Sequence, residues 1–256
     1  MTLHLVLVEP AGPLNVGSVA RLCANFGIDQ LRLVSPRCDP LAEEARRMAV
    51  RGLHHLETAP VFASLSEAIA DCGRVVATSG RQEGAPLELQ SPSRALSWLN
   101  AAAASPPGPP AALVFGREDR GLSNDELLQA GRLLHIPTCG PQPSLNLSHA
   151  VAIVLHALQD PGPHGEDAVG LPPNATAAGS ADPCPRGELE AALADATDLL
   201  LEVGYLLPHS ARARMAKVRG LLQRAQVSGP EVALLRGMVC QLRWASRRVS
   251  PPGDAI

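Results

Sequence analysis

IPTCGPQPSLNLSHAVAIVLHAL, residues 136–158, joins the end of a strand to an apolar helix through a loop punctuated by Gly140, Pro141 and Pro143. Leu147, Val151, Val154, Leu155 and Leu158 recur at helical spacing, and Ser144 or Asn146 can cap the helix by accepting a backbone N–H. Taken alone this is an ordinary strand–turn–helix connection. It gains weight because the same unit recurs through the first 158 residues.

Working outward, short apolar runs predict strands at 3–8, 31–34, 74–78, 111–115 and 133–136. Periodic segments predict helices at 15–26, 41–50, 65–70, 93–103 and 124–130. Regular alternation of this kind implies an α/β fold: a mainly parallel sheet with helices on both faces, and ligands at the carboxyl ends of the strands. Residues 159–187 are rich in Pro, Gly, Ala and Ser without an apolar period, which reads as a linker. Three helices are expected beyond it, at 188–207, 211–225 and 229–248, with Gly229-Pro230 at a turn and a core of Leu221, Leu222, Leu234, Leu235, Val239 and Leu242. The expected units are therefore 1–158, 159–187 and 188–256.

A 256-residue chain with 46% hydrophobic content can bury a full core. Two Trp, one Tyr and three Phe are too few for a base-stacking sheet or an aromatic sugar platform. No basic leader precedes the first strand and no run of 18 apolar residues occurs, so a soluble cytoplasmic protein without a membrane span is expected. Cys23, Cys38, Cys72, Cys139, Cys184 and Cys240 are scattered, with no C-x-x-C pair, and read as packed thiols rather than a metal site or disulfide framework.

Charge is unevenly placed. Between 210 and 250 nine basic residues (Arg212, Arg214, Lys217, Arg219, Arg224, Arg236, Arg243, Arg247 and Arg248) face one acidic residue, Glu231. That segment is +8 against a formal total of −3, which leaves −11 for the rest. Concentrated charge of this kind is the footprint of a polyanion partner, or else a solvated helical face.

The loop after the first strand, EPAGPLNVGSVAR at 9–21, invites two nucleotide readings, and both fail. Gly12 and Gly17 have P-loop spacing, but Ser18-Val19 stands where Lys-Ser is needed; no G-x-G-x-x-G follows the strand, which argues against a dinucleotide oxidoreductase. What remains is a helix N-terminus whose N–H groups could meet a phosphate, with Arg21 on the same face as Asn15 or Ser18. A second polar loop, GREDRGLSN at 116–124, ends another strand with four charges between two glycines; Glu118 could pair with Arg117 or Arg120 there, or address a ligand. A third is Thr78-Ser79-Gly80-Arg81. All should open on one sheet edge with the 137–146 loop.

Asn15-x-Gly17-Ser18-x-x-Arg21, the 113–124 segment LVFGREDRGLSN, and Ile136-Pro137 with Ser144-Leu145-Asn146-Leu147-Ser148-x-Ala150-Val151 together resemble the three motifs of the SpoU/TrmH branch of the SPOUT class of RNA ribose methyltransferases. The match runs through 1–158 in order and spacing. The MAKVRGLLQRA segment at 215–225 and LLRGM at 234–238 resemble the helical extension of TrmJ-type tRNA enzymes, which methylate the 2′-hydroxyl of anticodon-loop nucleotide 32.

The resemblance implies a deep C-terminal knot, a homodimer, and S-adenosylmethionine as cofactor, held by Thr78, Ser79, Gly80, Gly116, Ile136, Ser144, Leu145 and Asn146. It implies a catalytic role for Arg21, supported by Asn15, with Glu118 as a conceivable proton acceptor. A guanidinium is a poor base, so Arg21 is better read as binding phosphate or stabilising alkoxide charge. RNA contacts are expected from Arg21, Arg117, Arg212, Arg214, Lys217, Arg219 and Arg224, with tRNA as the partner and no metal. Ribosomal RNA as substrate, or an RNA-binding protein that has lost catalysis, are the alternatives. His149 and Pro143 depart from the family pattern without breaking it.

Overall fold

The structure is a computed structural model that describes residues 2–81, 84–101, 108–140, 144–159 and 183–249. Strand β1 (Leu3–Val8) is followed by α1 (Pro13–Phe26), β2 (Gln30–Val34), α2 (Glu43–Ala49), a 3-10 turn (Val50–Gly52), α3 (Leu53–Glu57), β3 (Val61–Phe62), α4 (Leu65–Ala68) and β4 (Arg74–Thr78). Then come β5 (Leu89–Gln90), α5 (Pro92–Asn100), β6 (Ala111–Phe115), α6 (Asn124–Leu127), β7 (Arg132–Leu134) and α7 (Leu147–Gln159), and after residue 183 α8 (Arg186–Glu202), α9 (Pro208–Ala225) and α10 (Gly229–Val249).

The seven strands form one sheet in the order β3-β2-β1-β6-β4-β7-β5, and every neighbouring pair is parallel. β1 and β6 are buried along their whole length, as expected of strands covered on both faces. Leu5, Leu7, Leu31, Leu113 and Phe115 pack on one face with α1, α5 and α7. Val6, Val8, Val75, Val114 and Leu133 pack on the other with Leu65, Ile69 and Leu127. The two-residue strands β3 and β5 escape sequence reading because two residues carry no period. The helix expected at 41–50 is α2, which ends where Val50 takes φ 48 and sends the chain into the 3-10 turn.

Two glycines bring the helices close. A Cβ on Gly17 would lie 2.2 Å from the Ala45 carbonyl oxygen, and one on Gly52 2.3 Å from that of Ala20, so α1 touches α2 and the 3-10 turn backbone to backbone.

On the side of the sheet where β1 and β2 begin, His4, Asp71 and Cys72 lie close enough to suggest a metal site. Both Asp71 oxygens are instead taken by the Arg32 guanidinium, at 2.6 and 2.8 Å. The Arg32 hydrogen bonds hold the Asp71 carboxyl at about 2, while burial, with Arg32 next, lowers the His4 imidazole and keeps it neutral. Burial also pushes the Cys72 thiol far from thiolate formation. A cation already fills the cluster, which works as an anchor.

Helices α8 to α10 have their own core of Leu189, Leu193, Leu206, Met215 and Val232. This corrects most of the sequence reading: Leu222 packs against this core, but Leu221, Leu234 and Leu242 are more than half exposed, and Leu235 and Val239 are only half-buried. α10 is apolar on two sides, and it lays the Val232 side against α8. The module is joined to the sheet where Arg186 and Gly187 donate their N–H groups to the carbonyls of Cys72 (3.1 Å) and Ala70 (2.8 Å). Most of the expected linker, residues 160–182, lies outside the described residues.

Candidate active site

The loops that follow β1, β4, β6 and β7 open on one sheet edge, as the alternating pattern requires. Glu118, in the loop after β6, reaches back across the sheet to the start of α1. Its carboxylate accepts from the N–H of Ala11 (3.0 Å), the N–H of Gly12 (3.1 Å) and Asn15 Nδ2 (3.1 Å). The helix N-terminus that could have met an external phosphate is therefore supplied with an anion from within the chain. The pairing of Glu118 with Arg117 or Arg120 is not what the structure shows. Desolvation raises the Glu118 pKa, but the Ala11, Asn15 and Gly12 hydrogen bonds outweigh it, so the group titrates below its ordinary value. A carboxylate so held is a weaker proton acceptor than a free one.

The chain of contacts continues. Asn146 Nδ2 donates to Asn15 Oδ1 at 3.0 Å, and Asn146 Oδ1 accepts from the N–H of Ser148 (2.9 Å), the Ser148 hydroxyl (2.8 Å) and the N–H of His149 (3.4 Å). Asn146, rather than Ser144, therefore caps α7. Glu118, Asn15 and Asn146 thus stand in series and tie three loops far apart in the chain into one rigid arrangement. His149 is exposed.

Beside this relay lies a pocket of about 430 Å³. Of the eight residues expected to hold a cofactor, Thr78, Ser79, Gly80, Gly116, Ile136, Ser144 and Leu145 line it; Asn146 fixes the loop from outside. Its apolar floor comes from Phe115, Leu122, Leu134 and Leu147, none of which is among the eight residues expected to hold the cofactor. The size and the mixture of apolar floor with loop backbone fit a drug-sized nucleoside. Thr78 Oγ1 donates to the Val114 carbonyl at 3.1 Å, Ser79 N–H donates to that of Leu134 at 2.9 Å, and Arg81 reaches the Leu122 carbonyl, so the β4 loop is fastened to its neighbours.

Gly116 and Gly121 shape the pocket wall. Gly121 sits at φ +67, and a Cβ on Gly116 would lie 2.4 Å from the Gly121 carbonyl carbon and 2.5 Å from the Leu122 nitrogen. Gly116→Ala is expected to push the wall inward and lower transfer on the order of 10²-fold, the cost of an ångström-scale misplacement. Cofactor titration and turnover of the purified variant check this; wild-type values for both would show that the wall is not part of the site.

Arg117 is not placed to meet RNA. Its side chain is 9% exposed; Nη1 and Nη2 lie 2.9 Å from the two Glu126 oxygens, and Nη2 also bonds Glu9. Hydrogen bonds to Glu9 and Glu126 raise its pKa still further. Glu126 closes a capping box with Ser123, so this cluster binds the β6 loop to α6 and to the end of β1. Arg21 is exposed on α1, outside the pocket lining, two turns past Asn15, with no ion pair among the described residues.

The basic segment also differs from expectation. α8, which the 210–250 count excluded, brings Glu188, Glu190, Asp195, Asp198 and Glu202, so residues 186–249 hold ten basic and six acidic residues, a net +4. Arg219 pairs with Glu190 at 2.7 and 2.8 Å, Arg236 with Asp195, Arg243 and Arg247 with Glu202, and Arg212 with Asp125 of α6. Arg214, Lys217 and Arg224 remain exposed along one face of α9, with no carboxylate partner among the described residues. Of the thiols, Cys23, Cys72 and Cys184 are buried as expected, whereas Cys139 and Cys240 are exposed.

The chain is similar to known proteins along most of its length. The model of the SpoU rRNA Methylase family matches residues 2–156, and that of the tRNA methyltransferase TrmJ C-terminal domain matches residues 188–252. The chain is 31% identical over 254 residues to tRNA (cytidine/uridine/adenosine-2'-O-)-methyltransferase TrmJ of Pseudomonas aeruginosa, covering 97% of this chain and 96% of that protein. It is 37% identical over 165 residues to tRNA (cytidine-2'-O-)-methyltransferase TrmJ of Methanocaldococcus jannaschii, covering 61% and 66%. Among solved structures, TrmJ from Z. mobilis superposes with a TM-score of 0.79 at 29% identity, covering 94% of this chain and 99% of that one.

Proposed function

Because the chain belongs to the SpoU rRNA methylase family and carries a TrmJ C-terminal domain, we propose that it transfers the methyl group of S-adenosylmethionine to a ribose 2′-hydroxyl of tRNA, at anticodon-loop nucleotide 32. The observation that carries this reading is the Glu118–Asn15–Asn146 relay, which sets the three family motifs side by side at the pocket rim.

S-adenosylmethionine supplies an activated sulfonium methyl, so the protein has only to align the ribose oxygen and manage its charge and proton. Thr78, Ser79, Gly80, Gly116, Ile136, Ser144 and Leu145 hold the cofactor over the apolar floor. Asn15, fixed by Glu118 and Asn146, orients the ribose or the adjoining phosphate. Arg21 stabilises the oxygen as it takes on charge, and the hydroxyl proton passes to solvent water. Glu118 serves the site by holding Asn15, and its depressed pKa argues against the acceptor role. Arg214, Lys217 and Arg224 contact RNA phosphates.

The same reading includes a homodimer. Leu14 on α1 and Ile153 on α7 are exposed apolar side chains on two helices that pack together, which suits a surface met by a second copy. The separate core of α8 to α10 supports the division into 1–158, 159–187 and 188–256. The family knot is part of the reading, supported by the insertion of β6 between β1 and β4 and of β7 between β4 and β5. Among the described residues no helix is long and apolar enough to cross a membrane; the reading places the enzyme in the cytoplasm.

The test is transfer of labelled methyl groups from S-adenosylmethionine to unmodified tRNA and to ribosomal RNA, followed by mapping of the modified ribose. Label at nucleotide 32 of tRNA is expected. Label confined to ribosomal RNA would overturn the substrate, and cofactor binding without transfer to either would overturn the activity.

A further inference from the structure

The turn between α8 and α9 holds three exposed apolar side chains, Val203, Tyr205 and Leu207, around one buried residue, Leu206. Gly204 at φ +74 makes the reversal, and Leu206 donates its N–H to the Leu200 carbonyl at 2.9 Å while its side chain enters the helical core. Anchoring Leu206 inward turns its neighbours outward. Tyr205, the only tyrosine of the chain, is 66% exposed.

Two contacts fix where this turn sits. Arg214 donates to the Tyr205 carbonyl at 3.4 Å, and Arg212 pairs with Asp125 in the first turn of α6. Asp125 lies three residues past Leu122, the last of the pocket-lining residues in the β6 loop, so this pair ties the first turns of α9 to the helix that follows the pocket wall. Arg212 neutralises Asp125, and Arg214 and Lys217 stand exposed on the following turns of α9. The result is an aromatic face flanked by apolar side chains and rimmed by unneutralised cations, on the turn that leads into α9. Unpaired RNA combines flat, weakly hydrated base faces with a phosphate backbone, and matches this surface on both counts.

We infer that Tyr205 stacks an unpaired base of the RNA substrate and, with Val203 and Leu207, positions the strand for transfer. The inference rests on the proposed RNA substrate. Stacking is sequence-tolerant and independent of phosphate neutralisation, so its signature is distinct from that of the cations.

The experiment compares full-length wild type, Tyr205→Ala and Tyr205→Phe for binding to unmodified tRNA across a salt titration, with melting temperature and S-adenosylmethionine affinity measured alongside. Tyr205→Ala is expected to weaken tRNA binding by roughly ten- to a hundred-fold, with an unchanged slope of log affinity against log salt. Melting temperature and cofactor affinity should stay at wild-type values, and Tyr205→Phe should bind as wild type does. Wild-type binding by Tyr205→Ala would overturn the inference, as would an equal loss in Tyr205→Phe or a flattened salt slope in Tyr205→Ala. If the wild type neither binds nor methylates RNA, the functional reading falls as well; if the wild type does both and Tyr205→Ala matches it, the platform alone falls.

Discussion

Arg21→Ala is expected to slow methyl transfer by about 10²–10³-fold, the usual cost of removing one group that stabilises developing oxyanion charge. The fold and the cofactor site should be untouched. The Arg21 side chain is exposed, lines no part of the pocket and has no ion pair among the described residues, so its removal leaves no buried group without a partner. The helix around it is held by backbone contact instead, since Gly52 packs against the Arg21 Cα and the Ala20 carbonyl. Single-turnover transfer at saturating tRNA, with melting temperature and S-adenosylmethionine titration in parallel, separates the possibilities. Turnover equal to wild type would remove Arg21 from the chemistry, and a matching loss of cofactor affinity would move it to the binding site. Arg21→Lys should recover only part of the rate, because an ammonium keeps the charge but loses the planar fork of donors.

The fold was readable where strands are buried on both faces. β1 and β6 are near-continuous apolar runs, and each expected strand lies within two residues of its observed bounds. The polar loops after β1, β4 and β6 stood out for the opposite reason, as charges and glycines that end buried strands. Which groups meet across those loops was not readable. Glu118 and Ala11 are 107 residues apart, and Arg117 and Glu9 108. Sequence spacing cannot pair them, which is why the RNA contact expected of Arg117 gives way to an internal clamp on Glu9 and Glu126. The charge of the C-terminal helices is hidden for a related reason: the basic run of 210–250 folds against α8, whose carboxylates neutralise several of those arginines. Tyr205 gave no periodic or motif signal, and only the burial of Leu206 beside it shows that it is held outward.

Arg117→Ala should be the most destabilising change at the site. Exposed ion pairs contribute about 0–1 kcal/mol, whereas removing one partner of a buried pair costs about 3–5 kcal/mol. Arg117, 9% exposed and shared by Glu9 and Glu126, falls toward the buried end, at about 3 kcal/mol, since its carboxylate partners are partly solvated. For a chain of this size that is a fall of about 6–12 °C in melting temperature. The deficit should depend on pH. The Arg117 hydrogen bond is the main cause that lowers the Glu9 pKa; for Glu126 burial acts upward, and Arg117 is foremost among the causes that outweigh it. Carboxyls whose folded pKa is depressed contribute stability that is fully present above their unfolded value of about 4.5 and is lost as pH falls through the folded value. The gap between wild type and Arg117→Ala should therefore be largest near neutrality and close on acidification below about pH 4.5. Thermal melts across that range read it directly. Arg117→Ala combined with Glu126→Gln should recover part of the loss, because it removes one of the stranded charges. A gap that stays constant with pH, or a double variant no more stable than Arg117→Ala, would mean that Arg117 contributes packing rather than charge pairing.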